Sequence, residues 1–118
     1  MPVVTVESLK PPAGDPGPLL AALPADLAAA IGCDANDVWV YFCEVAAVSV
    51  GGERRDFHGH SPVVTVRARA WRSEEQVRQG MQAVARSVSS SLGVPVEDVW
   101  VHWLELPPGR VFAGGEFR

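Results

Sequence analysis

The chain repeats itself, and that constrains its fold more than any other feature. Pro2-Val3-Val4-Thr5-Val6 returns as Pro62-Val63-Val64-Thr65-Val66. Asp37-Val38-Trp39-Val40 returns as Asp98-Val99-Trp100-Val101, with Gly32 matched by Gly93 and Glu44 by Glu105. Gly51-Gly52-Glu53 returns as Gly114-Gly115-Glu116. The blocks keep one order, so the chain reads as two halves, 1–56 and 61–118, joined by Phe57-His58-Gly59-His60. Two copies are a duplication rather than a solenoid, which needs about three or more units. At 118 residues the halves share a single domain spanning 1–118.

Each half carries the same plan. A β-branched alternating run opens it, Val3 to Glu7 and Val63 to Arg69. A helical segment follows. In the second half Ser73-Glu74-Glu75-Gln76 has the form of a capping box. Val77, Met81, Val84, Val88 and Leu92 then give one apolar helix face, and Gly93 stops it. In the first half Leu19, Leu20, Leu23, Leu27 and Ile31 keep helical spacing up to Gly32. Pro24 interrupts that pattern, and proline costs about 3 kcal/mol in a helix interior. A kink or two short helices are expected there. Second strands are expected over Val38 to Val45 and Val99 to Leu106, and Gly-Gly-Glu turns close each half.

A crossover helix makes the strands of each half parallel. The expected fold is therefore α+β: duplicated β-α-β units in one four-stranded mixed sheet, with two helices on one face. The other face stays bare. Trp39, Tyr41, Trp100 and Trp103 fall in the strands, so large aromatics are expected on it. A bare apolar face predicts association with further copies.

Composition narrows the partners. Ten Lys and Arg against 14 Asp and Glu leave a net charge of −4, the opposite of a nucleic-acid binder's basic stripe. No apolar run approaches the roughly 20 residues of a membrane span. The start, MPVVTVESLK, lacks the basic and apolar regions of a secretory signal, so a cytoplasmic protein is expected. Cys33 and Cys43 form neither a disulfide framework nor a metal knuckle, and read as small buried apolar residues. His58 and His60 offer two metal ligands where sites want three or four, so they read as linker histidines.

The strongest chemical candidate is Pro2. A proline after the initiator methionine normally has that methionine removed, which leaves Pro2 as a secondary amine. An α-amino group titrates near pH 8. Burial and nearby cations lower that value, towards what proton transfer next to a carbonyl requires. The plainer reading is an edge-strand proline. Its twin Pro62 is internal, so its nitrogen is an amide with no basicity. The cations show the opposite asymmetry: Arg67, Arg69 and Arg72 end the first strand of the second half, where the first half has Glu7, Leu9 and Pro12. Arg69 and Arg72 offer two guanidinium forks to a carboxylate. Solvated strand-end arginines are the bland alternative. Amine from one half and arginines from the other suggest one composite site.

The opening MPVVTVE, Trp71-Arg72-Ser73-Glu74-Glu75-Gln76, and Asp-Val-Trp-Val-x-x-x-Glu followed by Gly-Gly-Glu resemble the tautomerase superfamily over nearly the whole chain. Small members such as oxalocrotonate tautomerase are about half this length. Longer ones, of the cis-chloroacrylic acid dehalogenase and malonate semialdehyde decarboxylase type, are two fused halves. The resemblance implies a homotrimer whose sheets enclose a central barrel. It implies Pro2 as the general base or acid and Arg69 and Arg72 as the groups holding a substrate carboxylate. No metal or organic cofactor is implied.

Departures mark the remaining candidates. Trp39 and Trp100 stand where oxalocrotonate tautomerase has a second-strand arginine, which argues against that enzyme's dicarboxylate substrate here. Val111 aligns with its pocket phenylalanine, and the adjacent Phe112 is a candidate to substitute for it. His102 and Ala113 replace the water-activating tyrosine and glutamate of the dehalogenases, which makes hydration and dehalogenation poor expectations. Asp37 matches an aspartate of the decarboxylase type, but Asp98 repeats it, as a structural residue would. Arg110, ahead of the tail turn, and Tyr41 complete the set. The reaction expected is keto–enol or double-bond tautomerisation of a small 2-oxo or enol carboxylic acid. A decarboxylase or hydratase on the same site is one alternative, and a non-catalytic trimeric binding protein is the other.

Overall fold

The computed structural model describes all residues, Met1–Arg118. Its main sheet holds four strands: β1 (Val3–Ser8), β2 (Trp39–Glu44), β5 (Val63–Arg69) and β6 (Trp100–Leu106), in the order β2-β1-β5-β6. Two short hairpins, β3 (Val48–Val50) with β4 (Glu53–Arg55) and β7 (Phe112–Ala113) with β8 (Glu116–Phe117), close the halves. The β1–β2 and β5–β6 pairs are parallel, and β1 runs antiparallel to β5. Helices α1 (Gly17–Ile31) and α2 (Glu74–Leu92) cover one face. The expected α+β sheet of duplicated β-α-β units is what forms.

Period-two alternation decides which side chains go inside. Val4 and Val6 of β1 and Val64 and Val66 of β5 are fully buried against the helices. They meet Leu19, Leu23 and Leu27 of α1 and Val84 and Val88 of α2, also fully buried. Each such side chain stabilises the fold by about 1.5–3 kcal/mol relative to exposure. Ser73 caps α2: its hydroxyl accepts the Gln76 N–H at 3.1 Å while the Gln76 side chain accepts the Ser73 N–H at 3.1 Å.

The duplication extends to individual hydrogen bonds. Gly32 and Gly93 end their helices in the left-handed region, φ 71° in both, and donate to Ala28 and Ser89 carbonyls. Each helix leads into a single 3-10 turn, Ala35–Asp37 or Val96–Asp98. The Trp39 N–H then donates to the Pro2 carbonyl and the Trp100 N–H to the Pro62 carbonyl, both at 3.0 Å. Thr5 sits opposite its own twin Thr65 across the β1–β5 pair. The pseudo-twofold axis therefore passes between those threonines, and Pro2 and Pro62 lie at opposite ends of the sheet. Both Gly-Gly turns require positive φ at each glycine, 58° and 86° at Gly51 and Gly52, 62° and 77° at Gly114 and Gly115.

Three expectations are corrected. Helix α1 runs unbroken through Pro24. The buried row Leu19, Leu23, Leu27 and Ile31 continues across the proline, and the Leu20 carbonyl it deprives of a donor belongs to a residue open to solvent. Leu20 itself points outward, because the core takes only that row. Cys43 is exposed rather than buried, since it alternates onto the open face, while Cys33 packs half-buried at the core edge.

The linker is more than a connector. Phe57 is buried, and His60 behind it is 5% exposed. The Leu9 N–H donates to His60 Nε2 at 3.1 Å, and Nδ1–H donates to the Phe57 carbonyl. His58 stays outside with its ring edge against Phe57. The open sheet face carries Trp39, Tyr41, Trp100 and Leu104, 45–63% exposed, while Trp103 turns to the helix side. No helix is long and apolar enough to cross a membrane.

Candidate active site

Antiparallel pairing of β1 with β5 brings the two halves' special residues together. Val3 is opposite Arg67, so the Pro2 end of β1 meets the arginine-bearing end of β5. A pocket of about 420 Å³ opens there, lined by Met1, Val3, Arg67, Arg69, Leu106, Val111, Ala113 and Arg118. Three arginines line it and no Asp or Glu does. The rest of the wall is apolar. Pro2 is fully buried, and Met1 next to it lines the pocket.

Arg69 is placed by Trp71, an exposed indole in the turn between β5 and α2. The Arg69 guanidinium carbon lies 4.7 Å from that ring's centre and that of Arg72 lies 5.2 Å from it. Arg69 reaches the pocket wall. Arg72 does not, and its Nε is buried without a hydrogen-bond partner. The two expected forks are therefore neighbours through one indole, with only Arg69 on the cavity.

The other candidates scatter. His102 lies two residues along the strands from the Val3 row, roughly 7 Å away, with Nε2 2.8 Å from Thr65 Oγ1 on the open face. Tyr41 shares that row and stacks on Trp39, ring centres 6.3 Å apart. Trp100 is four residues from the row, roughly 13 Å, beside Pro62. Asp37 is exposed, and its twin Asp98 ends an equivalent 3-10 turn. Arg110 lies in the loop before β7, off the pocket wall. Phe112 does not replace the expected pocket aromatic: it is 66% exposed and packs edge-on against Phe117, because alternation turns Val111 and Ala113 to the cavity instead. Arg67, one of the three strand-end arginines but not of the pair expected to hold the carboxylate, lines the pocket, as does Arg118, which the sequence did not mark. Arg67 was visible in the Arg67–Arg69 alternation; Arg118 becomes adjacent only when the tail hairpin folds back.

The twin of this pocket tests what the duplication kept. A depression of about 290 Å³ at the Pro62 end is lined by Glu7, Val45, Ala47, Val48, His60, Ser61 and Val63. Glu7 stands there in place of Arg67 and Ser61 in place of Met1. A more open hollow beside it, about 590 Å³, mixes Lys10, Arg54 and Arg55 with Glu44 and Asp56. Only the Pro2 end is uniformly cationic.

No protein-family model and no curated protein matches the sequence. Solved structures do. The Q0 fused 4-OT, a symmetric trimer, superposes with TM-score 0.84 at 27% identity over 98% of this chain and 94% of its own. Pt0534 inactivated by 2-oxo-3-pentynoate gives TM-score 0.86 at 19% identity with the same coverages, 98% and 94%. N1, of the cis-3-chloroacrylic acid dehalogenase family, gives TM-score 0.76 at 20% identity over 98% of this chain and 82% of its own. With its duplicated β-α-β units and four-stranded mixed sheet, this chain has the fold of the fused 4-OT structures.

Proposed function

We propose that the chain is a tautomerase of small 2-oxo or enol carboxylic acids, working through the Pro2 amine after Met1 is removed. The observation that carries this is the pocket at the Pro2 end of β1, lined by three arginines and apolar residues and by no Asp or Glu. Such a site attracts an anion and keeps water away from the carbon that changes hydrogen. Arg69 and Arg67 hold the substrate carboxylate. The Pro2 nitrogen takes the enol O–H proton and returns it to the neighbouring carbon. The C=C electron pair becomes the new C–H bond, and C–O becomes C=O. In reverse, the amine removes the carbon proton while the guanidinium charge stabilises the enolate. Pt0534 was captured with a 2-oxo acid derivative, which supports an oxo-acid pocket in this fold. Ala113 at the pocket wall supplies no acid or base for activating water.

The active form is a homotrimer in this reading, its open sheet faces, with Trp39, Tyr41, Trp100 and Leu104, turned inward. Q0 was solved as a trimer. The test is Arg69→Leu, which installs the residue its twin position carries. Conversion of phenylpyruvate enol to its keto form should lose about 10- to 100-fold in kcat/KM, the worth of a charge-assisted contact. Unchanged kcat/KM would reject the site.

A further inference from the structure

We infer that Trp71 is a positioning residue for the acid site: its indole holds Arg69 in place of a carboxylate partner, and so leaves the arginine's charge and N–H donors to the substrate. This rests on the acid-binding reading of the Pro2 pocket. Trp71 has no share in the core. It is 61% exposed and belongs neither to the buried cluster nor to the residues packed against it. It does not line the pocket either. What it touches is charge. The chain's two cation–π contacts both fall on this one ring, Arg69 at 4.7 Å and Arg72 at 5.2 Å from guanidinium carbon to ring centre. Both lie inside the reach of about 6 Å over which a ring attracts a cation.

These two arginines have no other partner. The arginine side chains that donate hydrogen bonds are those of Arg67, Arg78 and Arg118, and the ion pairs belong to Arg55 and Arg78. The choice of partner matters chemically. A carboxylate beside Arg69 would occupy its fork and cancel its charge. An aromatic ring attracts the cation through its quadrupole and takes no N–H donor in return. The base of the indole is held on both sides. The Ala70 N–H donates to the Leu106 carbonyl at 3.1 Å, and the Trp71 N–H to the Arg69 carbonyl at 3.0 Å. Leu106 itself lines the pocket. Two residues after Trp71, Ser73 is fixed by the capping box of α2. The duplication shows that the pieces go together. With Val3 matched to Val63, the places of Arg69, Trp71 and Arg72 are taken in the first half by Leu9, Pro11 and Pro12. The half without the arginines has no aromatic there.

The test couples Trp71 to Arg69. Calorimetric titration with phenylacetate, an inert acid, is run beside ketonisation of phenylpyruvate enol. The proteins are the wild type, Trp71→Phe, Trp71→Leu, Arg69→Leu and the double variant with leucine at both positions. Trp71→Leu should weaken phenylacetate binding and lower kcat/KM by about 3- to 30-fold, the range of a cation–π contact. Trp71→Phe keeps a π face and should retain most of both. Added to Arg69→Leu, the Trp71→Leu change should cost about twofold at most, because it acts through the arginine. A merely structural tryptophan would give the same loss in either background. Equal losses in the two backgrounds, or unchanged phenylacetate binding in Trp71→Leu, would overturn the inference. If the wild-type protein binds phenylacetate but ketonises no enol, the tautomerase reading falls, and the binding cycle still decides the role of Trp71. If it does neither, both readings fall.

Discussion

Gly80 sits inside α2 where α1 and β6 converge, and its replacement by alanine sets two effects of opposite sign against each other. Helix propensity alone favours Gly80→Ala by about 1 kcal/mol. Packing opposes it. A side-chain carbon on Gly80 would lie 2.9 Å from Ile31 Cγ2 and 2.9 Å from Trp103 Cζ3, with Trp103 Cη2 at 3.2 Å. Relaxed carbon contacts are about 3.5–4.0 Å, so both neighbours must retreat. Neither does so easily. Ile31 is buried and stiff at its branched carbon, and the Trp103 ring is rigid and wedged under the helix. Overpacking of this kind costs about 1–3 kcal/mol, and pressure from two sides places it near the upper end. The net expectation is a loss of about 1–2 kcal/mol. Urea unfolding at fixed protein concentration should show the midpoint falling by about 0.5–1 M for an m-value near 2 kcal/mol/M. Trp103→Phe removes the clashing ring atoms, so the double variant should show a coupling of about 1 kcal/mol or more. A midpoint that rises in Gly80→Ala would refute the packing argument and leave propensity in control.

Two further outcomes follow. His60→Leu strands the Leu9 N–H and the Phe57 carbonyl, and should lower stability by about 2 kcal/mol or more in the same urea assay, since each unpaired group costs about 1–3 kcal/mol; an unchanged midpoint would show that those groups find other partners. Sedimentation at micromolar concentration should give three chains per particle, and Tyr41→Asp on the open face should yield smaller particles with helical circular dichroism retained; a monomeric wild-type protein would remove the trimer from the account.

What the sequence made legible follows from what duplication preserves. The matched blocks carry local signals: the strand starts and helix-stop glycines reappear as the same hydrogen bonds in both halves, and the turn glycines as the same positive φ. Pro24 misled because local propensity argued for a break, while the row of buried leucines on either side held the helix together. The asymmetry between the halves was legible, and antiparallel β1–β5 pairing sets the Pro2 end of β1 beside the arginine-bearing end of β5. Arg72 and Arg69 looked equivalent by spacing, but the turn at Trp71 separates them, with only Arg69 reaching the cavity. Arg118 gave no sequence signal, because its place depends on a hairpin folding across the mouth of a pocket built mostly from distant strands.

The central claim is that the Pro2 nitrogen, as a free amine, moves the proton. Two preparations of the same chain test it, one with Met1 removed and one with Met1 retained, each verified by intact mass. They differ only in whether that nitrogen is an amine or an amide. The account predicts that ketonisation of phenylpyruvate enol is catalysed by the preparation that begins at Pro2 and falls by orders of magnitude in the one that begins at Met1. Equal rates in the two would contradict it.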